Sequence, residues 1–148
     1  MSIVLGINAN HADSSACLII NGKLVAAIEE ERINRKKHFS GFPFKSIEEC
    51  LRIANVKDNN VTDIAFNTKP LSNIIPKSLF ALKNLKISKK YSIERYKRKF
   101  KNKYNLFKTF NFKKNLKIHY IEHHLAHIAS AYYPSNFKDA TGVSIDGS

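Results

Sequence analysis

At 148 residues, the chain is long enough for one domain with a real core, at the ~100–200 residues a domain takes. Its net charge of +13 is local: residues 77 to 117 hold 15 Lys and Arg against one acid, Glu94, leaving 10 basic and 11 acidic residues elsewhere. No run approaches the ~20 apolar residues of a membrane span, and no basic leader segment of a secretory signal opens the sequence.

Ile3 to Asn8 is a short apolar run suited to a buried strand, followed by polar residues to Ser15 and a second strand over Ala16 to Ile20. Asn21-Gly22 between two β-rich runs is a strong hairpin signal, which makes Lys23 to Ile28 a third strand in an antiparallel meander. Glu29 to Arg32 ends it in charge, and the chain stays polar and basic from Asn34 to Gly41. Pro43 suits the first turn of a helix, along which Phe44, Ile47, Cys50, Leu51 and Ala54 share one face. Asp58 to Asn60 reads as a turn, and Val61 to Phe66 as a fourth strand ended by residues 67 to 70. Cys17 and Cys50 lack C-x-x-C spacing and lie in apolar segments, as reduced thiols of a cytoplasmic protein do.

Residues 71 to 115 form a basic, helical insert in which Ile93, Tyr96, Phe100, Tyr104 and Phe107 step by three or four into one stripe. Lysines on phosphates and aromatics on bases would make it a nucleic-acid surface. A membrane-surface helix is a second reading. The plainer one packs the stripe on the domain and turns the lysines to water, and core-like spacing favours it.

Leu116 to Ile121 alternates as a strand, and the period then changes to helical over His123 to Tyr133, closed by Pro134. His123 and His127, four apart, share a helix face and can ligate one metal ion; His124 points elsewhere. His119 reads as a packed or surface residue. Ala140 to Ile145 looks like a further buried strand, leading into Asp146-Gly147, and an ending on such a strand reads as a fragment of a longer chain.

Four features stand in one order: Gly6-Ile7-Asn8-Ala9-Asn10-His11-Ala12-Asp13-Ser14-Ser15-Ala16; Glu29-Glu30-Glu31-Arg32 through Lys37-His38 to Ser40-Gly41-Phe42-Pro43; His123 to Ala131; and Asp146-Gly147. Together they resemble the N-terminal part of the NodU/CmcH carbamoyltransferases, over residues 1 to about 68 and 116 to 148, without the insert. The resemblance implies an α/β fold, the N-terminal portion of an actin-like (ASKHA/RNase H-like) domain. Residues 1 to 148 would be a partial N-terminal domain, inactive alone because a C-terminal adenylate-forming domain is missing from the sequence. In the family that domain makes carbamoyl-adenylate from ATP and carbamoyl phosphate, and the actin-like domain passes the carbamoyl group to a hydroxyl, usually of a sugar-containing acceptor.

Carried over residue by residue, the resemblance puts a divalent metal, typically iron, on His123 and His127. Beside that carry-over, His11 in its polar loop between two strands fits a general base or an acceptor-positioning group, or else a solvated loop residue, with Asp13 and Ser14 able to hold the acceptor hydroxyl or orient His11. Gly6 and Gly147 allow close backbone approach to the nucleotide, while Asp146 serves either the metal or the nucleotide. Lys36, Lys37 and His38 meet the adenylate phosphate or a charged acceptor, or else form a solvated loop. The alternatives to a carbamoyltransferase are a basic nucleic-acid-binding module on an actin-like platform and an inactive paralogue.

Overall fold

A computed structural model of the chain describes residues 1–10, 12–68 and 104–145. Five strands, β1 (Ile3–Asn8), β2 (Ser15–Ile20), β3 (Lys23–Glu29), β4 (Asp63–Phe66) and β5 (Lys117–Tyr120), form one sheet in the order β3-β2-β1-β4-β5. The first three make the expected antiparallel meander, and β4 and β5 add in parallel on the other side of β1. Asn21 (φ 49°) and Gly22 (φ 80°) both take positive φ between β2 and β3, the type I′ geometry that matches strand twist. In β3, Leu18 faces Ala26 but Ile19 faces Leu24, so Val25 is the extra residue of a bulge.

Period-2 alternation divides the sheet into two faces. Ile3, Leu5 and Ile7 of β1 are buried, with Ala16 and Leu18 of β2 and Ile64 of β4. The helix α2 (Phe44–Ile53) adds Ile47, Cys50 and Leu51 to this core. Burying such side chains stabilises the fold by roughly 1.5–3 kcal/mol each. Pro43 precedes α2, and no side chain of the helix caps its own N-terminus. The cap comes from α1 (Glu30–Asn34), a short helix that the sequence pattern did not announce. The buried carboxylate of Glu30 accepts from the backbone N–H of Ser46 at 2.7 Å and from its Oγ at 2.8 Å. Arg35, in the left-handed region at φ 60°, ends α1.

Two expectations change. Ala140 to Ile145 forms no strand. Its backbone lies instead along the helix α3 (His123–Tyr132): a Cβ on Gly142 would come within 2.6 Å of Ile128 Cγ2, and Ser144 Oγ is 3.0 Å from His124 Nδ1. Val143 is 76% and Ile145 91% exposed, so the apolar alternation here does not mark burial. In the insert, Ile93, Tyr96 and Phe100 lie outside the described residues, as do the lysines from Lys97 to Lys103. Residues 104–109 are helical, but Tyr104 is 67% and Phe107 41% exposed. The buried face belongs to Leu106 and Phe110, four residues apart, which join the core. Among the described residues, no helix is long and apolar enough to cross a membrane.

Candidate functional site

The face of the sheet turned away from α2 carries a run of small side chains beside Val4 and Ile19. One row runs straight across four strands, Ala27, Cys17, Gly6 and Ala65, each the register partner of the next. Gly6 has no room for more: a Cβ there would lie 2.6 Å from Cys17 Sγ. This row floors a cleft of about 900 Å³. Burial of the Cys17 thiol raises its pKa above the ordinary cysteine value, keeping it protonated on the floor.

Helix α3 supplies a wall. Glu122, in extended conformation, caps it, its Oε2 accepting from Leu125 N–H at 2.9 Å. That backbone N–H holds the Glu122 carboxyl below its usual pKa. The cap fixes the helix start at His123, so His123 and His127 both line the cleft, one turn apart. Their Nε2 atoms are 3.2 Å apart, with the rings nearly perpendicular at 83°. Two nitrogens at that separation, each ~2.1 Å from one metal ion, subtend about 100° at it, between octahedral and tetrahedral values. The pair therefore fits a divalent metal.

The cleft rim is polar where the parallel strands end. Asn8 closes β1, Asn67 follows β4, and Asn67 Nδ2 donates to Asn8 Oδ1 at 2.8 Å. Glu29 and Arg32, paired at 3.4 Å, stand on another side. Open parallel sheets bind ligands beyond their strand C-termini, where these groups collect.

A second cluster lies at the β1–β2 loop. His38 Nδ1 is 3.0 Å from Asp13 Oδ1, and the His38 backbone N–H donates to Glu31 Oε2 at 2.8 Å. Ligand atoms of Asp13, Glu31 and His38 all lie within 4.8 Å of one another. Ser14 is buried, and its hydroxyl donates to the Gly41 carbonyl at 2.7 Å, clipping the 39–41 segment onto the loop. Asn8 Nδ2 donates to the Asp13 carbonyl at 3.1 Å, so the cleft and this corner share a hydrogen-bonded link.

The sequence-predicted residues thus fall into two groups. His123, His127 and Gly6 line the cleft, whereas Asp13 and His38 meet at the loop corner with Ser14 beneath them. Lys37 is exposed in the turn before His38. His11, Asp146 and Gly147 lie outside the described residues. His119 does not line the cleft; its Nε2 is 2.7 Å from Asp63 Oδ1 on the neighbouring strand, which lowers the Asp63 pKa. Asn8, Glu29, Glu31 and Arg32 stand within the sequence motifs but carry no assigned role there, and Asn67 reads only as the end of the fourth strand. A carboxamide ending each of two apolar strands was the available signal for Asn8 and Asn67.

Comparison with known proteins bears on the whole chain. The family model described as carbamoyltransferase N-terminus matches residues 3–148, so the match spans the basic insert as well. Uncharacterized protein sll1178 of Synechocystis sp. is 33% identical over 160 residues, covering 99% of this chain and 26% of that protein. Nodulation protein NolNO of Sinorhizobium fredii is 31% identical over 137 residues, 91% of this chain and 19% of its own length. Uncharacterized protein MJ1051 of Methanocaldococcus jannaschii is 29% identical over 145 residues, 98% of this chain and 22% of that protein. The chain spans about a fifth to a quarter of the length of these relatives.

Proposed function

Because the chain belongs to the carbamoyltransferase family, whose N-terminal region it matches over residues 3–148, we propose that it serves carbamoyl transfer to a hydroxyl of a sugar-containing acceptor. The donor in this reading is carbamoyl-adenylate, made from ATP and carbamoyl phosphate by a separate adenylate-forming domain. The observation that carries the reading is the His123–His127 pair, Nε2 to Nε2 at 3.2 Å, on the wall of a cleft floored by Gly6 and its small neighbours. The strand order, with β4 and β5 parallel to β1 beyond an antiparallel meander, supports an actin-like (ASKHA/RNase H-like) assignment.

The chemistry asks little nucleophilic help of the protein, because the carbamoyl carbon of a mixed anhydride is already activated. The acceptor oxygen attacks that carbon, the bond to the adenylate phosphate breaks, and AMP leaves with the electron pair. His11 takes the hydroxyl proton. His123 and His127 hold a divalent metal, typically iron, with Asp146 serving it or the nucleotide. Bound there, the metal supplies Lewis-acid polarisation of an oxygen. Gly6 lies on the cleft floor without a side chain, and the Cys17 sulfur packs where a Cβ would be. Asp13 and His38, held together at 3.0 Å with Glu31 behind them, and the neighbouring Lys37, orient the acceptor or receive its charge. Ser14 positions this corner through Gly41 rather than by touching substrate.

The intact protein, loaded with ferrous iron and given ATP, radiolabelled carbamoyl phosphate and a panel of sugars and aminoglycosides, should yield carbamoylated product. His123→Ala and His127→Ala should abolish it. Metal-loaded protein that labels no member of the panel would count against the reading.

A further inference from the structure

Among the described residues, Asn10, Asn21 and Asn55 occupy the left-handed region that Asn tolerates well, which accounts for them as backbone residues. Asn8 and Asn67 do not. They stand side by side at the ends of the parallel strands β1 and β4, half-buried, lining the same cleft as His123 and His127. Their carboxamides need another explanation.

Each amide nitrogen carries two hydrogens. Asn67 Nδ2 spends one on Asn8 Oδ1 at 2.8 Å, and Asn8 Nδ2 spends one on the Asp13 carbonyl at 3.1 Å. The backbone N–H of Asn67 is tied to the Ile7 carbonyl at 3.4 Å. Each side chain therefore keeps one N–H, Asn67 Oδ1 keeps both lone pairs and Asn8 Oδ1 keeps one, with no further partner among the described residues. The network fixes where these groups sit while leaving two donors open, together with accepting lone pairs on both oxygens.

That set is the complement of a carbamoyl group. Its NH₂ requires an acceptor, and its carbonyl oxygen requires donors, the more so as negative charge builds there during attack. An acetyl group has nearly the same size and shape but puts a methyl where the NH₂ would be, leaving the opposing acceptor unpaired once water is expelled. The floor of Ala27, Cys17, Gly6 and Ala65 offers shape, which both groups satisfy. We infer that Asn67, held in place by Asn8, recognises the carbamoyl group and selects it against acetyl. This inference rests on the carbamoyl transfer proposed above.

The test uses the intact, metal-loaded protein with ATP and either carbamoyl phosphate or acetyl phosphate, water serving as acceptor. AMP release is divided by ATP–pyrophosphate exchange with the same donor, which cancels any selection made when the adenylate forms. Wild type is compared with Asn67→Asp, which is isosteric but has lost the donor, with Asn67→Ala, and with Asn8→Ala. Bound metal reports that the cleft is intact. We expect wild type to favour the carbamoyl donor, Asn67→Ala to lose about tenfold or more of that preference with metal content unchanged, and Asn67→Asp, which keeps the acceptor facing the NH₂ but not the donor facing the carbonyl oxygen, to slow with both donors while keeping the preference. Asn8→Ala should fall between wild type and Asn67→Ala. Wild type that turns over the carbamoyl donor, with an Asn67→Ala variant that keeps its full preference, would overturn the inference alone, whether or not its rate falls. Wild type that turns over no carbamoyl donor would overturn the transfer reading beneath it.

Discussion

Glu30 and Ser46, sixteen residues apart, meet inside the protein: one carboxylate oxygen accepts both the backbone N–H and the hydroxyl of Ser46, at 2.7 and 2.8 Å. The contact joins α1 to the start of α2 and so fixes the polar segment between them, which carries Lys37 and His38. A carboxylate at a helix N-terminus also meets the positive end of the helix dipole. Glu30→Ala would strand two buried donors, at a cost of about 2 kcal/mol or more. Glu30→Gln, which retains an accepting oxygen, should lose less. Urea unfolding of the three proteins checks this, and an Ala variant as stable as wild type would show that the contact does not hold the helices together.

Gly6 and Cys17 make a second, steric prediction. A Cβ at residue 6 would meet Cys17 Sγ at 2.6 Å, so Gly6→Ala must push a side chain or a strand aside. Overpacking of this kind costs about 1–3 kcal/mol. Removing the sulfur should relieve it, so the double variant Gly6→Ala, Cys17→Ala should be more stable than Gly6→Ala alone. A double-mutant cycle with purely additive losses would place the strain elsewhere.

What could be read from the sequence was what neighbouring residues decide. Alternation over Ile3 to Asn8 and Ala16 to Ile28, punctuated by Asn21-Gly22, is local, and the meander follows from it. The His123 and His127 pairing is equally local, since helical geometry alone puts the two rings together. Other features depend on register and docking. The row Ala27–Cys17–Gly6–Ala65 exists only once four strands are aligned, and no spacing within any one strand announces it. Glu30 as a cap for α2 depends on α1, too short at five residues to show a period. Ala140 to Ile145 misled because alternation describes a side-chain pattern, not a partner; those residues lie along α3. In the insert the aromatic stripe drew attention to Tyr104 and Phe107, while the core took Leu106 and Phe110.

Cys50 gives an alkaline signature. Burial above all, with smaller contributions from the nearby Cys17 and Glu49, pushes its thiol up to about 11. A folded pKa above the unfolded one means that the unfolded chain releases its proton first as pH rises. The stability contributed by the neutral thiol is whole below the unfolded value, ~8.5, and is lost as pH climbs from there through the folded value. Urea midpoints should therefore fall between pH 9 and pH 11 in wild type. Cys50→Ala, less stable at neutral pH because it opens a cavity, should fall less over the same range. Parallel declines in the two proteins would remove Cys50 as the cause.

Glu122 links the His123–His127 pair to acid pH. Its carboxylate caps α3 through Leu125 N–H, and that bond depresses its pKa below the ordinary glutamate value. A depressed folded pKa makes the cap fully effective above the unfolded value, ~4.3, and lost as pH falls through the folded one. The cap sits one residue before His123, so fraying there would unseat a ring that lines the cleft. Glu122→Ala should bind metal more weakly than wild type at neutral pH, with a faster off-rate, whereas Glu122→Asp should recover part of the loss. His123→Ala and His127→Ala should lose it outright. Metal titration of the four variants beside wild type orders them, and a Glu122→Ala protein with wild-type affinity would show that the first turn of α3 holds its histidines without the cap.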